Sequence, residues 1–287
     1  KLMKKIKFII KKIISIFVTL LSRFKAGRFF YSQIVDNSMT RVHKVNHNDL
    51  ELFISIPNAL NEYRAKTFSS KEPETLEWID RMTENAVFWD IGANVGAQTL
   101  QMAKHFKNST IHSFEPTKFG FDKLKKNLLL NSNLNKQIII NQCFVTDKKK
   151  LPKKIYASWN LKNKKNTHKK HCGTLKETVG ANSLKLDDYV LKNKIKKIDF
   201  IKLDVDGHEL DVLKSGYKFL KKNNVPIIFE VAPYLYKEHG YTKYDLIKQF
   251  KKLNYKFYNI YSLKKIDNIY DFILSIPDGA SSTLVAK

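Results

Sequence analysis

Two stretches of the sequence carry side chains whose types and spacing could do chemistry. In WDIGANVGAQTL, residues 89–100, an apolar run carries Asp90 and then turns at Gly92 and Gly96 before a helical pattern begins. In IDFIKLDVDGHEL, residues 198–210, strand alternation puts Lys202 and Asp204 on one face, with Asp206, Gly207, His208 and Glu209 just beyond the strand end. A strand–turn–helix of the first kind is how an open α/β sheet receives a nucleotide-like ligand, at the carboxyl ends of its strands. Glycine there allows a tight turn and close approach of backbone to the ligand.

The turn is not a dinucleotide fingerprint. Where G-x-G-x-x-G would hold pyrophosphate, the chain has Gly92, Asn94 and Ala97, and an acid stands two residues before the first glycine. A carboxylate at that point repels pyrophosphate and suits a ligand with an ammonium group. S-adenosylmethionine (SAM) is such a ligand, with an amino-acid end, a ribose and no phosphate. Glu115 stands 23 residues after Gly92 at the end of the next apolar run, held extended by Pro116, and is expected to accept both ribose hydroxyls. The pair Asp90 and Glu115 favours SAM over a nicotinamide cofactor.

Lys202 lies in an otherwise apolar strand, where an unpaired ammonium is costly, so a carboxylate must sit beside it. The candidates are Asp204, Asp90 and Glu230. Methyl transfer to a hydroxyl needs in-line placement and a base for the proton. Asp204, Asp206, His208 and Glu209 are candidate bases; alternatively Asp204, Asp206 and Glu230 hold a Mg²⁺ that acidifies the hydroxyl. D-x-D-G also begins a calcium loop, but no closing glutamate follows. His168, His171 and Cys172 offer metal donors without a fourth ligand at zinc spacing.

Alternating elements must position these groups. Strands are expected at Val87–Ile91, Thr110–Phe114, Ile138–Asn141, Phe200–Val205, Val225–Val231 and Lys256–Ile260. Helices are expected at Gln98–Phe106, Lys118–Leu130, Gly207–Leu220 and Lys243–Leu253, which predicts a parallel sheet covered on both faces. Residues 32–62 read as short strands and turns, with a helix from Glu72 to Arg81 entered through a serine cap and Pro73. The lysine-rich interval 147–197 reads as an inserted loop or flap.

The chain has 287 residues and a formal charge of +25, yet only five of its 52 basic residues are arginine, none after Arg81. Nucleic-acid readout leans on the arginine fork, so the charge reads as solvated surface with general polyanion attraction. Two cysteines, Cys143 and Cys172, make no disulfide framework and suit a reducing, cytoplasmic setting. At the start, KLMKKIKFIIKKIISIFVTLLSRF has an apolar run far short of the ~20 residues of a membrane span. On a helix, Lys4, Lys5, Lys7, Lys11, Lys12, Ser15, Thr19, Ser22 and Arg23 fall within roughly 160° of one another, with isoleucine, leucine and phenylalanine opposite. Residues 1–24 therefore read as a basic amphipathic helix suited to an anionic membrane surface, or else to packing on protein.

The ordered set VFWDIGANVGAQTL, IHSFEP, SLKLDDYV, IDFIKLDVDGHELDVLKSG and IIFEV resembles the FkbM-type SAM-dependent methyltransferases, over roughly residues 42–262. RAKTFSSKEPETLEWID also looks like the region such proteins carry before the first strand. The resemblance implies a class I SAM-dependent methyltransferase fold: a Rossmann-like, mostly parallel seven-stranded sheet whose last strand is antiparallel. It implies SAM as donor and usually a hydroxyl acceptor, often on a sugar or polyketide; the expected reaction is O-methylation of a sugar, glycan, lipid-linked or small-metabolite acceptor. By matching position, Asp90, Gly92, Asn94 and Gly96 would line the methionine and turn, Glu115 the ribose, and Cys143 with Phe144 the adenine. The family more often has glutamate where Asp206 stands. The expected organisation is an N-terminal helix (1–31), an extension (32–85) and the SAM-binding domain (86–287). Two other classes compete with this reading. A nucleic-acid methyltransferase would carry a D/N-P-P-Y/F-type motif where this chain has DVDG. A non-catalytic, membrane-docked binding module of the same fold would not depend on Asp204.

Overall fold

The computed structural model describes residues 2–159 and 173–287. His168, His171 and Cys172 lie outside the described residues. Two helices lead, α1 (Leu2–Leu21) and α2 (Lys25–Thr40), followed by an antiparallel hairpin of β1 (Val42–His47) and β2 (Leu50–Ser55). Three short helices come next: α3 (Ala59–Lys66), capped by Asn58, then α4 (Phe68–Lys71) and α5 (Pro73–Asp80).

From Val87 strands and helices alternate: β3 (Val87–Ile91), α6 (Ala97–His105), β4 (Thr110–Phe114), α7 (Lys118–Leu130), β5 (Ile138–Asn141) and β6 (Cys143–Val145). An antiparallel hairpin of β7 (Lys154–Trp159) and β8 (Gly173–Glu177) stands where the flap was expected. After it come β9 (Asn182–Leu184), α8 (Leu186–Lys192), β10 (Phe200–Leu203), α9 (Glu209–Ser215), α10 (Tyr217–Asn223) and β11 (Ile227–Val231). The chain ends with α11 (Pro233–Tyr236), α12 (Lys243–Lys252), β12 (Phe257–Asn259), α13 (Ile269–Ser275) and β13 (Ser282–Ala286).

The central sheet has seven strands in the order β12-β13-β11-β10-β3-β4-β5. The pairings from β11 to β5 are parallel, and β13 runs antiparallel to both its neighbours. This is the class I SAM-dependent methyltransferase arrangement that the family resemblance implies. Strand alternation divides the core into two layers. On one side Trp89, Ile91, Ile201 and Leu203 pack with α8, α9, α10 and α12; on the other Phe88, Ile111, Phe200 and Ile228 pack with α5, α6 and α7.

The β1–β2 hairpin is fastened to the second layer by two asparagines, Asn127 in α7 and Asn131 at its C-terminal cap. Asn127 Oδ1 accepts from the Ser55 amide (2.8 Å) while its Nδ2 donates to Val95 O (2.7 Å), and Asn131 bonds both the Phe53 amide (3.0 Å) and carbonyl (2.8 Å). They stand in for a neighbouring strand and satisfy buried backbone.

Local readings differ from the structure in several places: the interval 147–197, read as loop or flap, also holds β9 and α8, whose Leu186 and Tyr189 are core residues, and residues 59–62, read as strand and turn, begin α3. Residues 25–40, read partly as strand and turn, form α2. The serine cap is absent: Ser69 and Ser70 lie inside α4, and Glu72 precedes α5 with no side-chain cap bond, although Pro73 does open that helix. The helix read over 207–220 is split at Gly216, where a Cβ would come within 3.1 Å of Leu186 on α8. The last strand had no position assigned from sequence and is β13.

Candidate functional site

The turn after β3 is held in a conformation that few residues tolerate. Gly92 has φ +88°, and a Cβ there would meet the Asp204 carbonyl oxygen at 1.8 Å. Asn94 has φ +51°, a region its short polar side chain can occupy. Its amide donates to Glu115 Oε2 (2.9 Å), and Arg64 from α3 donates to its Oδ1 (3.0 Å). Gly96, φ +82°, sits tight against Leu124 of α7, where it lets α6 and α7 close up. It is not among the residues that line the cavity above the turn.

Register explains the fate of Lys202. It stands directly across from Asp90 in the parallel β10–β3 pair. Asp90 is completely buried: Oδ2 accepts from Thr99 Oγ1 (2.5 Å), and Oδ1 lies 3.7 Å from Lys202 Nζ. Lys202 Nζ also lies 3.4 Å from Asp204 Oδ2. Two of the three expected partners thus meet it, while Glu230 accepts from Ser281 (2.6 Å). Burial alone would discharge the ammonium, but Asp204 and Asp90 more than reverse this and hold its pKa above the ordinary value. For Asp204 burial likewise opposes charge, and Lys202 and Lys71 outweigh it, keeping the carboxyl below its usual range. Asp90 therefore lies behind the cavity wall and faces Lys202.

Above these turns is a cavity of about 480 Å³, within the range of small-molecule sites. Gly92, Asn94, Glu115, Cys143, Phe144, Lys202, Asp204, Asp206, His208 and Glu230 all line it, so ten of the residues named from sequence converge there. Glu115 is buried, its Oε1 accepting from the amide (2.9 Å) and hydroxyl of Thr117 and its Oε2 from Asn94. These bonds fix its direction, and a carboxylate with roughly four acceptor positions keeps capacity for a further hydroxyl. Burial raises its pKa against the opposing pull of those bonds. The Cys143 thiol is pushed up to about 12 by burial and by Glu115, which makes it a wall and not a nucleophile.

The turn after β10 is equally constrained, with Asp206 at φ +49° and Gly207 at φ +97°. It is braced by Tyr241, whose hydroxyl donates to Gly207 O, and by the His239 ring on Asp206 O (3.2 Å). His208 faces Asp211 Oδ2 (3.4 Å) and lies 4.0 Å from the His239 ring; Asp211 also pairs with Lys148 (2.8 Å). Glu209 turns inward, bonding the Gly207 amide (3.2 Å) and Tyr241 (3.3 Å), and is not among the cavity residues. It braces the turn; of the four bases named from sequence, Asp204, Asp206 and His208 reach the cavity.

A second, polar cavity of about 370 Å³ abuts the first and shares Lys71, Glu72, Lys202, Asp204 and Glu230 with it. Its other walls include Glu74, Asn259, Tyr261, Ser281, Ser282 and Thr283. Glu230 stands at the junction, its pKa pushed up to about 8 by burial and then by the Asp204 charge. The residues do not fit the Mg²⁺ alternative: Asp204 is engaged by an ammonium and Glu230 by Ser281. Among the described residues no group of three or more His, Cys, Asp or Glu could hold a metal ion.

Several wall residues had no signature in the sequence. Arg64 and Lys71 come from the short helices α3 and α4, and Glu72 from the junction of α4 and α5; Glu72 accepts from Gln98 (3.1 Å) and pairs with Lys71. The helix read over 72–81 and the resemblance of RAKTFSSKEPETLEWID to the family's region before the first strand marked this segment, but neither assigned these side chains to the site.

Comparison with known proteins gives a family match over residues 90–257, to the methyltransferase FkbM domain. The methyltransferase sdnD of Sordaria araneosa is 28% identical over 165 residues, covering 48% of this chain and 62% of that protein. The hexuronic acid methyltransferase AglP of Haloferax volcanii is 26% identical over 153 residues, covering 52% and 58%. The chain thus spans less than two thirds of the length of these relatives. Among solved structures, the methyltransferase FkbM of Methylobacillus flagellatus aligns with a TM-score of 0.40 at 16% identity, covering 72% of this chain and 44% of that one.

Proposed function

The chain belongs to the FkbM methyltransferase domain family, and from that premise we propose that it transfers a methyl group from SAM to a hydroxyl of a sugar, glycan, lipid-linked or small-metabolite acceptor. The observation that carries this reading is the junction of two cavities on one set of carboxylates. The first has the donor set for SAM: Glu115 for a ribose, apolar Phe144 and Val145 for an adenine, and Asp204, Asp206 and Glu230 for a cation. The second is lined by hydroxyls, an amide and acids, which suits a polyhydroxylated acceptor.

When bound, SAM supplies an electrophilic methyl on a sulfonium centre. Glu115 orients the ribose, and Cys143 with Phe144 flanks the adenine. Lys202 holds Asp204 ionised and fixed at the junction. Glu230 is the proposed base, since it reaches both cavities and a general base works best with a pKa near the working pH. Ser281 directs its carboxylate, and the polar walls of the second cavity hold the acceptor oxygen in line. With Cys143 a free buried thiol, the chain suits the reducing cytoplasm.

Calorimetry with SAM and NAD tests the donor. SAM should bind and NAD should not, and Glu115→Ala should weaken SAM at least about tenfold, the loss expected for a charged hydrogen bond. Binding that ignores Glu115→Ala would sink the assignment. Labelled SAM incubated with a cell extract then identifies the fraction that accepts the methyl group.

A further inference from the structure

The first forty residues hold a surface that the site does not use. Helix α1 leaves Ile6, Ile9, Ile13, Phe17 and Leu20 about half exposed. Helix α2 adds an apolar band of its own, Phe30, Tyr31, Ile34 and Val35, at the i, i+1, i+4, i+5 spacing of one helix face, and all four are exposed. Folded monomers rarely expose contiguous apolar patches beyond a few hundred Å², whereas single buried aromatics cover ~150–250 Å² each. The corner between the helices is built: a Cβ on Gly27 would strike Leu21 O at 2.1 Å, and Arg28 donates to Ser22 O (3.2 Å). The far end of α2 is tied to the folded body by Ser38 on Pro57 O (3.0 Å) and Lys126 on Met39 O.

We propose that α1 and α2 dock together as one unit on an anionic lipid surface, apolar sides inward, and tether the catalytic body there. Charge selects this occupant. Lys5, Lys7, Lys11, Lys12, Lys25 and Arg28 lie on the two helices and Arg23 in the turn between them, and no acidic residue precedes Asp36. A second copy of the chain would bring the same positive charges against them, while an anionic leaflet neutralises them. Crossing the bilayer is a different matter, since no helix among the described residues is long and apolar enough for it. Helix α1 with its lysines lies instead in the interface plane.

Flotation of the full chain with vesicles tests this. Equimolar phosphatidylcholine and phosphatidylglycerol should carry the protein up, phosphatidylcholine alone at least about tenfold less, with binding falling as salt rises. Replacing Lys5, Lys7, Lys11 and Lys12 together by Gln should lower anionic binding more than about tenfold, at roughly fivefold per charge. Phe30→Ser with Ile34→Ser should lower it about tenfold with α1 intact and thermal melting unchanged. Phe30→Trp, which keeps the apolar face, should be quenched by brominated lipid. The proposal is overturned if the parent stays with the pellet and elutes as a dimer, or if phosphatidylcholine alone serves equally. It is also overturned if Phe30→Trp stays unquenched on vesicles that carry the protein.

Discussion

Lys202 and Glu230 carry opposite lessons about buried charge. Lys202 is tolerated because register sets Asp90 across from it and Asp204 is two residues on along the same face. Lys202→Met should cost about 3–5 kcal/mol, since removing one partner leaves the other carboxylate buried without compensation. Urea denaturation of Lys202→Met, Asp90→Asn and the double variant checks it; purely additive losses would deny the pairing. Glu230 has only the Ser281 hydroxyl and no ion-pair partner among the described residues, and burial with the neighbouring Asp204 charge raises it to about 8. As a base it works only when ionised, so kcat/KM of the parent should climb with pH through about 8. Glu230→Gln should lower the rate by roughly 10²–10⁴ and remove that limb. A pH profile unchanged in Glu230→Gln assigns the proton to another group.

At the scale of elements, the two turns matter more than the helices they start. Gly92→Ala must distort the β3 turn, because the left-handed φ and the Asp204 carbonyl at 1.8 Å leave no room. A loss of at least ~2 kcal/mol in stability, with weakened SAM binding, is expected. Gly240→Ala, also at positive φ but with nothing within 4 Å, is the control and should cost only ~1 kcal/mol with SAM binding intact. Much of this level was legible in the sequence. β3, β4, β5 and α7 have the bounds their apolar periodicity predicts, because each is long enough to show its pattern and is closed by turn residues. Helix α2 was legible only to residue 31, since its apolar band of Phe30, Tyr31, Ile34 and Val35 spans barely two turns and only Gly27 is buried. β13 was missed because STLVA is mixed in polarity, with only its last three residues buried, and its antiparallel place depends on partners distant in sequence. The same reason hid Ser281, and it left Arg64 and Lys71 without a role although they lie in the stretch RAKTFSSKEPETLEWID: each reaches the site through tertiary packing. Glu209 shows the reverse, a motif residue whose side chain the fold turns inward to brace a turn.

For the whole molecule, the first cavity joins two parts of the chain, walled by Arg64, Phe68 and Glu72 on one side and by the ends of β3, β4 and β10 on the other. A ligand held there stabilises both at once. SAM at a hundred times its Kd should add about 2.7 kcal/mol, by mass action on the folded state alone, and raise the melting temperature by several degrees. The gain should also depend on pH. Glu209 and Glu230 both have folded pKa values of about 8, raised above the unfolded value near 4.3. The folded state therefore holds protons that the unfolded state has released, and stability falls as pH rises from about 4.5 toward 8, by up to ~1.4 kcal/mol per pH unit per group. A cationic ligand beside Asp204 and Glu230 favours their ionised forms and offsets that loss, so the thermal shift produced by SAM should be larger at pH 8 than at pH 6. Glu209 lies behind the turn, off the cavity wall, so Glu209→Gln should flatten the ligand-free slope while leaving most of the SAM increment. Glu230→Gln should flatten both. Thermal melts of the parent and both variants across that pH range, with and without SAM, separate the two carboxylates. Equal SAM increments at pH 6 and pH 8 in the parent would place the sulfonium away from the acidic junction.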